Sequence, residues 1–567
     1  MTAIAPTITL NVYFSGLSSA STNIASDVVL GSSIVKGQYG IIGTGPVDRI
    51  GRTGTLTFSL DNSVNNSGGV RGYYSPGHTN ARSTGTIGWN LGLFISITLS
   101  YGGTNYIKFI GTLTEVKPTA GEHQRQVAKC TVLDWMDEAA RSKLKATATQ
   151  TNKRADQLIT TILSNSVGRP PIATDYDTGR STFAYSLDNF KDNKTTVLKA
   201  LADVVMSEMG YLYIKGTTDA ASAKGGKLTF ENRTARLSYG ASEHTFANNM
   251  VKMIASQSRS DIVNHTYVQV HPRTLDTSVS VLWELTSTEV IPGLEQGRTI
   301  TVIAEFSEKI ITGVNFGAST STSSRGAHIA TTSLTTPVSG TDWIANTASD
   351  GSGSVITSDV VVTVATTAAN TATLQIVNNG TVTAYLTTLQ VRGIALKDNS
   401  STSVDDSNAS SITTYGEQDS RIDMPYESDP ILALEIAKWQ NSATDSARYV
   451  VRSIELLANS SATLMEQALV REPGDKIGID ETMTGLNNDE AWLLGSTGNS
   501  ELGETTYLDY DPSSGDFFIN GVSFDISSGN ILRVKWSLAP ANPSKAWVLG
   551  VVGSSELGET TVLSWGI

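Results

Sequence analysis

Two histidines come nearest to a metal-binding pattern in this chain. His265 and His271 bound the alternating run His-Thr-Tyr-Val-Gln-Val-His, which is typical of a β-strand. Side chains alternate across a strand, so residues six apart point to the same face and could form a metal pair. Neither histidine has a third ligand nearby in the sequence. We therefore interpret both as ordinary strand residues and expect no metal site.

Oxygen-rich segments are the next candidates. Residues 509–516, Asp-Tyr-Asp-Pro-Ser-Ser-Gly-Asp, have the composition of a calcium loop but lack the glutamate that closes an EF-hand, and they also suit a β-turn. The neighbouring carboxylates Asp405 and Asp406 lie in linker-like sequence, where solvation is the default. A glycosidase needs its two carboxylates to be close only in space, so such a site stays an alternative.

No motif for other chemistry is present. The sequence has no His-Glu-x-x-His, no phosphate-binding Walker loop and no Gly-x-Ser-x-Gly elbow. Gly43-Thr-Gly45 lacks the third glycine of a dinucleotide site and is interpreted as a turn. Cys130, the only cysteine, lies in an alternating run and is interpreted as a small strand residue. We expect no catalytic residue, no cofactor and no enzymatic activity.

Composition and charge exclude further classes. The formal net charge of −13 repels phosphate backbones, so we expect no sequence-specific nucleic-acid binding. No window approaches the apolar length that spans a membrane, and residues 1–14 alternate like a strand instead of forming a secretion signal. We expect assembly in the cytoplasm of the producing cell.

The elements that position these residues are mostly strands. The fold class expected is mainly β with a smaller α+β unit, in several domains. Apolar residues recur at helical spacing in 154–163 and in 195–209, which ends before Gly210. A third helix is predicted to begin at Asp429 and Pro430. Its apolar stripe consists of Ile431, Leu432, Ile436 and Trp439. The domains expected are a β-barrel at 1–145, an α+β domain at 146–235, a second barrel at 236–310 and 400–485, an inserted β-sandwich at 311–399, and a C-terminal tandem repeat at 486–567.

The C-terminal part contains a duplication. Residues 491–508 recur 55 residues later as 546–563, with 13 of 18 positions identical. Each copy predicts a strand, a glycine turn and a strand, so the region is expected to be a duplicated β-hairpin. Trp492 and Trp547 are expected to anchor the two copies in small cores. The alternative is that these rings are exposed and grip a neighbouring subunit or a sugar.

The order of several segments carries a family resemblance. A strand-rich opening ends at Cys130-Thr-Val-Leu-Asp-Trp135 and is followed by the helix Thr151–Ile159. Lys194–Leu201 then leads into Met209–Ile214 and Gly226–Arg233. This succession resembles the tail tip or baseplate hub proteins of long-tailed phages and related phage-like particles, over residues 35–310 and 411–485. It also resembles, more distantly, the hubs of contractile injection machines.

The resemblance implies a fold and a role. It implies a homotrimer in which two similar barrels per chain form a pseudo-sixfold ring, so that a threefold tip docks on a sixfold tail tube. The protein would be a late structural protein of the virion that closes the tube. Its partners would be the distal tail protein, the tape-measure protein and the tail fibres. Segment 311–400 departs from a minimal hub, and no lysozyme or peptidase module follows.

Two other functions stay open. In the first, the inserted sandwich and the repeats with Trp492 and Trp547 would bind host surface glycans, which would make the chain a receptor- or carbohydrate-binding tip protein active in host attachment. In the second, the chain would be a tail-associated hydrolase.

Overall fold

The computed structural model describes residues 4–29, 34–43, 48–119, 126–188, 194–218, 225–237, 239–285, 293–310, 334–447, 450–480 and 515–541. It is 45% strand and 16% helix, spread over several sheets. The predicted fold class, mainly β with a smaller α+β part, is confirmed.

The first part of the chain contains seven strands and a short helix. They are β1 (Thr7–Tyr13), β2 (Thr22–Asn23), β3 (Val35–Gly40), β4 (Thr55–Asp61), β5 (Phe94–Tyr101), β6 (Thr104–Pro118), β7 (Val127–Leu133) and α1 (Trp135–Arg141). The period of two predicted for β4 is present, because Leu56, Phe58 and Leu60 are buried on one face.

The α+β part follows. Its elements are β8 (Gln150–Arg154), α2 (Ala155–Ser164), β9 (Ala173–Tyr176), β10 (Thr182–Ser186), α3 (Val197–Glu208), β11 (Tyr211–Lys215), β12 (Thr217–Thr218) and β13 (Lys227–Glu231). Helix α3 begins as predicted, since the side chain of Thr196 accepts a hydrogen bond from the amide of Lys199. Its end differs from the prediction: Met209, with φ of 58°, and not Gly210, adopts the left-handed conformation. The core of this part includes Met136 and Ala139 of α1.

The next strands belong to four different sheets. They are β14 (Thr245–Phe246), β15 (Lys252–Ser256), β16 (His265–Val270), β17 (Arg273–Glu284), β18 (Thr299–Glu305), β19 (Trp343–Asn346), β20 (Val360–Thr367), β21 (Thr371–Asn378) and β22 (Tyr385–Asp398). Strands β17, β22 and β19 form one sheet, and β18, β21 and β20 form another, with a shared apolar core. The inserted unit therefore runs from Arg273 to Asp398, and not from 311, because β17 and β18 pair with β22 and β21.

The remaining elements complete the chain. They are β23 (Thr402–Ser407), α4 (Ala409–Tyr415), β24 (Asp419–Met424), α5 (Pro430–Thr444), β25 (Val450–Leu457), α6 (Ala462–Val470), β26 (Lys476–Ile479), β27 (Asp516–Ser527) and β28 (Ile531–Pro540). The segment after Lys397, interpreted as a linker, instead contains β23, which pairs with β16. Asp429 caps α5 as predicted, whereas Ile431, placed on its buried stripe, is 72% exposed.

A fourteen-stranded sheet joins parts that are far apart in the sequence. Its main path runs β15-β25-β28-β27-β3-β4-β7-β6-β5-β1-β2. Strands β27 and β28 lie between the two copies of the repeat and pair with β3 on one side and β25 on the other. Gly37 is needed where β3 meets β27, because a Cβ there would lie 2.2 Å from the ring of Phe524. Strands from both blocks assigned to separate barrels, and from the C-terminal region, thus share one hydrogen-bonded sheet, whereas β16, β23 and β24 of the second block form a sheet of their own.

Candidate functional site

The two tryptophans proposed as anchors, Trp492 and Trp547, lie outside the described residues. So does most of the oxygen-rich segment 509–516. Its last residue, Asp516, is described: its carboxylate pairs with the ammonium of Lys476 at 2.8 Å and accepts a hydrogen bond from the hydroxyl of Ser242. This aspartate therefore binds another part of the protein.

The two candidate histidines lie on the outer face of the sheet β23-β16-β24. Helix α5 packs against the other face. The ring of His265 contacts two carboxylates, with Nε2 2.9 Å from Asp405 and Nδ1 2.7 Å from Glu417. His271 contacts Asp423 at 2.6 Å between Nε2 and Oδ1. The histidines do face the same side, as predicted, but each is bonded to its own carboxylates.

Hydrogen bonding at His265 shifts the pKa of its imidazole ring. The bond to Asp405, followed by the bond to Glu417, raises the pKa of the imidazole above its ordinary value. The neighbouring carboxylate, Asp406, points to the opposite face and accepts a hydrogen bond from the side chain of Asn441 at 2.8 Å. Asp405 and Asp406 are thus on opposite sides of the sheet. Across the described ranges, no three His, Cys, Asp or Glu side chains are placed to hold a metal ion.

A buried charge cluster joins three parts of the chain at Glu472, between α6 and β26. Its carboxylate pairs with the ammonium of Lys108, whose side chain is 2% exposed. It also accepts hydrogen bonds from the hydroxyl of Tyr39 and from the amide of Gly216, both at 2.8 Å. Two carbonyl groups, those of Leu469 and Arg471, accept further bonds from Lys108. The ammonium is therefore fully surrounded by acceptors, as a buried charge requires.

A second buried cluster lies around Glu231 of β13. Its carboxylate accepts hydrogen bonds from the hydroxyl of Tyr213 at 2.7 Å and from the guanidinium of Arg236 at 2.8 Å. Arg236 also donates to the side chain of Asn520 in β27, and its guanidinium lies 3.8 Å from the ring centroid of Tyr211. These contacts fix the α+β part to the C-terminal strands.

A third cluster joins the inserted unit to the α+β part. Asp188 is fully buried, and both of its oxygens bind the guanidinium of Arg273, at 2.5 and 3.1 Å. The ammonium of Lys309 lies 3.1 Å from the same carboxylate and 2.5 Å from that of Asp398. Arg273 and Lys309 therefore bridge the buried Asp188 and the carboxylate of Asp398 at the end of the inserted unit.

A cavity of about 450 Å³ lies between the large sheet and α1. Two arginines, Arg141 and Arg169, line part of its wall. Most of the wall is apolar and is formed by Leu17, Phe94, Ile110, Trp135, Pro170, Pro171 and Ile172. Asp134 also lines it and accepts a hydrogen bond from the amide of Met136 at 3.0 Å. Burial raises the pKa of Asp134 to about 7, so this carboxyl group changes charge near neutral pH.

Sequence reasoning missed the residues of these clusters. No sequence motif surrounds Glu472 or Asp188. Their partners, Lys108 for Glu472 and Arg273 for Asp188, are distant in the sequence and are brought close only by the tertiary fold. The other single residue examined, Cys130, is buried in β7 as predicted, and burial raises the pKa of its thiol.

Comparison with known proteins gives matches among solved structures. No family model and no curated protein sequence matches the chain. A 43 kDa tail protein of prophage MuSo2 from Shewanella oneidensis is similar with a TM-score of 0.42 and 8% identity, covering 94% of this chain and 98% of that one. A tail protein from Neisseria meningitidis MC58 has the same score and identity, and covers 94% of this chain and 96% of that one.

A component of the type VI secretion system of E. coli is similar with a TM-score of 0.32 and 8% identity, covering 94% of this chain and 76% of that one. The similar structures are therefore phage tail proteins and a secretion-system protein. None of the described helices is long and apolar enough to cross a membrane.

Proposed function

We propose that this chain is a structural protein of a phage tail, without enzymatic activity, and that it acts as the homotrimeric hub of the tail tip. The observation that carries the proposal is the joining of distant segments into one body. Strands β27 and β28 connect the first strand block to β25 in a single sheet. A continuous hydrogen-bonded sheet suits a protein that has to hold neighbouring tail components in one arrangement.

The buried charges support the same role. Lys108, Arg236 and Asp188 each bind a partner from another part of the chain. Charged groups are costly to bury, and such pairs are well suited to fixing one arrangement of the parts. We propose that they hold the large sheet, the α+β part and the inserted unit at fixed angles. The distal tail protein, the tape-measure protein and the tail fibres would then bind exposed faces of this body.

The proposal predicts a definite assembly. Light scattering on the purified full chain should give three times the mass of one chain, and electron microscopy should show a threefold ring. A monomer with affinity for glycans would overturn the hub in favour of the receptor-binding alternative. Release of soluble fragments from purified cell walls would overturn the assignment as a protein without enzymatic activity.

A further inference from the structure

A long loop between two strands of the large sheet is held in one shape. Residues 62–92, called the 62–92 loop below, connect β4 to β5 without any helix or strand. Loops longer than about 15 residues without secondary structure are uncommon in compact domains and are usually functional. This loop is described over its whole length.

Buried polar contacts hold the loop. The carboxylate of Asp27, which is 5% exposed, accepts hydrogen bonds from the amide of Ser67 at 2.9 Å, from its hydroxyl at 2.5 Å, and from the hydroxyl of Tyr74. The ring of Tyr74 packs edge to face against Trp89, with centroids 4.8 Å apart. A loop fixed in advance loses little conformational entropy when it binds a partner.

The exposed part of the loop differs in charge from the rest of the molecule. No Asp or Glu occurs between Asp61 and Glu115, although the whole chain has a net charge of −13. Arg71 is exposed and has no ion-pair partner among the described residues. Three large apolar side chains are also exposed, namely Val64 (51%), Ile87 (48%) and Leu91 (52%). Protein interfaces combine an apolar core with an enrichment in arginine.

The outer face of β23-β16-β24 has the opposite charge. Asp405, Asp419 and Asp423 are 54%, 56% and 62% exposed there, and Glu417 beside them is 57% exposed. Arg421 is the cation on this face with the largest exposure, 80%. Asp419 lies 3.8 Å from Arg421, while Asp405 and Glu417 bind His265 and Asp423 binds His271, so carboxylates outnumber the cations of this face.

We propose that the 62–92 loop is a docking surface for a second copy of this chain, and that Arg71 faces the carboxylates of Asp419 and Asp423 of that copy. The partner is assigned by charge complementarity, because a surface without carboxylates attracts an acidic one and repels its own kind. This contact rests on the homotrimer proposed above. In this contact the 62–92 loop of one subunit meets the outer face of β23-β16-β24 of the next. Such a pairing of two different faces is what a closed ring of three subunits requires.

Charge reversal of the full chain tests the contact. Arg71→Glu should weaken self-association at least tenfold in light scattering over a concentration series, and Ile87→Ser with Leu91→Ser should also weaken it. Combining Arg71→Glu with Asp419→Arg and Asp423→Arg should restore it. Arg52→Glu, which makes the same change of charge at another exposed arginine, is the matched control and should assemble like the parent chain. Circular dichroism verifies that every variant is folded.

The outcomes separate this contact from the homotrimer. If the parent chain is a monomer, the proposed trimer is wrong and this contact with it. If the parent chain is a trimer and Arg71→Glu associates equally well, the loop is not the docking surface, and the proposed function stands. If Arg71→Glu dissociates but the reversed carboxylates do not restore association, the acidic face is not its partner and the proposal is overturned.

Discussion

The hydroxyl of Tyr39 donates a hydrogen bond of 2.8 Å to Glu472, a residue 433 positions later in the chain. Tyr39 lies in the first strand block, and Glu472 lies in the second. The same carboxylate also binds Lys108 of β6 and the amide of Gly216 in the α+β part. One side chain thus receives bonds from two other regions of the chain, so its loss should affect the fold as a whole.

Replacing Glu472 by Gln should destabilise the protein strongly. The ammonium of Lys108 would stay buried without a counter-charge, and breaking such a pair costs about 3–5 kcal/mol. The midpoint of denaturant unfolding should fall accordingly. Glu115→Gln is the matched control, because Glu115 pairs with Lys117 at the surface, and its midpoint should not change measurably. Equal midpoints for the two variants would show that the buried pair contributes nothing.

Replacing Asp27 by Ala should open the 62–92 loop without unfolding the sheet. The amide and hydroxyl of Ser67 and the hydroxyl of Tyr74 would lose their common acceptor. Loss of bonds to a charged group should lower the local opening free energy by about 2 kcal/mol, or roughly 30-fold in amide exchange. Hydrogen exchange read by mass spectrometry should show this change in 62–92 and not in β5–β7. Uniform acceleration over both regions would contradict a local role.

The sequence predicted the elements better than their partners. Helix α5 was predictable because Asp429 and Pro430 give a start signal, and α3 because Thr196 caps it. The pairing of β27 with β3 was not predictable, since nothing in either strand specifies a partner nearly 500 residues away. The buried stripe of α5 was partly wrong, because its first turn projects Ile431 into solvent. The charge clusters depend on such pairings and could not be found from motifs.

The contribution of Asp134 to stability should fall as the pH rises from about 4 to about 7. Burial raises the pKa of Asp134 from 3.8 to about 7, so between these values the folded state holds a proton that the unfolded state has released. Stability then falls with pH at up to about 1.4 kcal/mol per pH unit for this group. Asp134→Asn should remove that contribution, which a series of denaturant titrations at different pH would measure. Parallel curves for the variant and the parent chain would contradict the prediction.

His265 should titrate above its ordinary pKa. Its bonds to Asp405 and Glu417 favour the charged ring, so the folded state binds a proton more tightly than the unfolded state. This contribution to stability is complete below pH 6.5 and is lost as the pH rises through the higher pKa of the folded state. NMR titration of the ring should show a midpoint that falls in Asp405→Asn and, by a smaller amount, in Glu417→Gln. Asp423→Asn, which alters the contact of His271 instead, should leave the midpoint of His265 unchanged.

The inserted unit should be removable when it is cut at its own ends. Arg273 and Asp398 are cross-strand neighbours at the start of β17 and the end of β22, and the preceding strand β16 pairs with the following strand β23. Excising 274–397 and joining Arg273 to Asp398 through Asn-Gly would therefore convert β16 and β23 into a hairpin with a favoured turn. Arg273 would remain to bind Asp188, so the buried carboxylate keeps its bidentate partner.

This shortened chain should be soluble and should keep the unfolding transition of the large sheet. Deletion of 311–399, the boundaries suggested by sequence, is the matched comparison. That deletion leaves β17 and β18 without β22 and β21, and it exposes apolar side chains such as Ile300 and Val302 that now pack in the sandwich core. Unpaired apolar strands of this kind aggregate, so sedimentation should show large particles for the second variant only. Aggregation of both variants would mean that the inserted unit is an integral part of the fold.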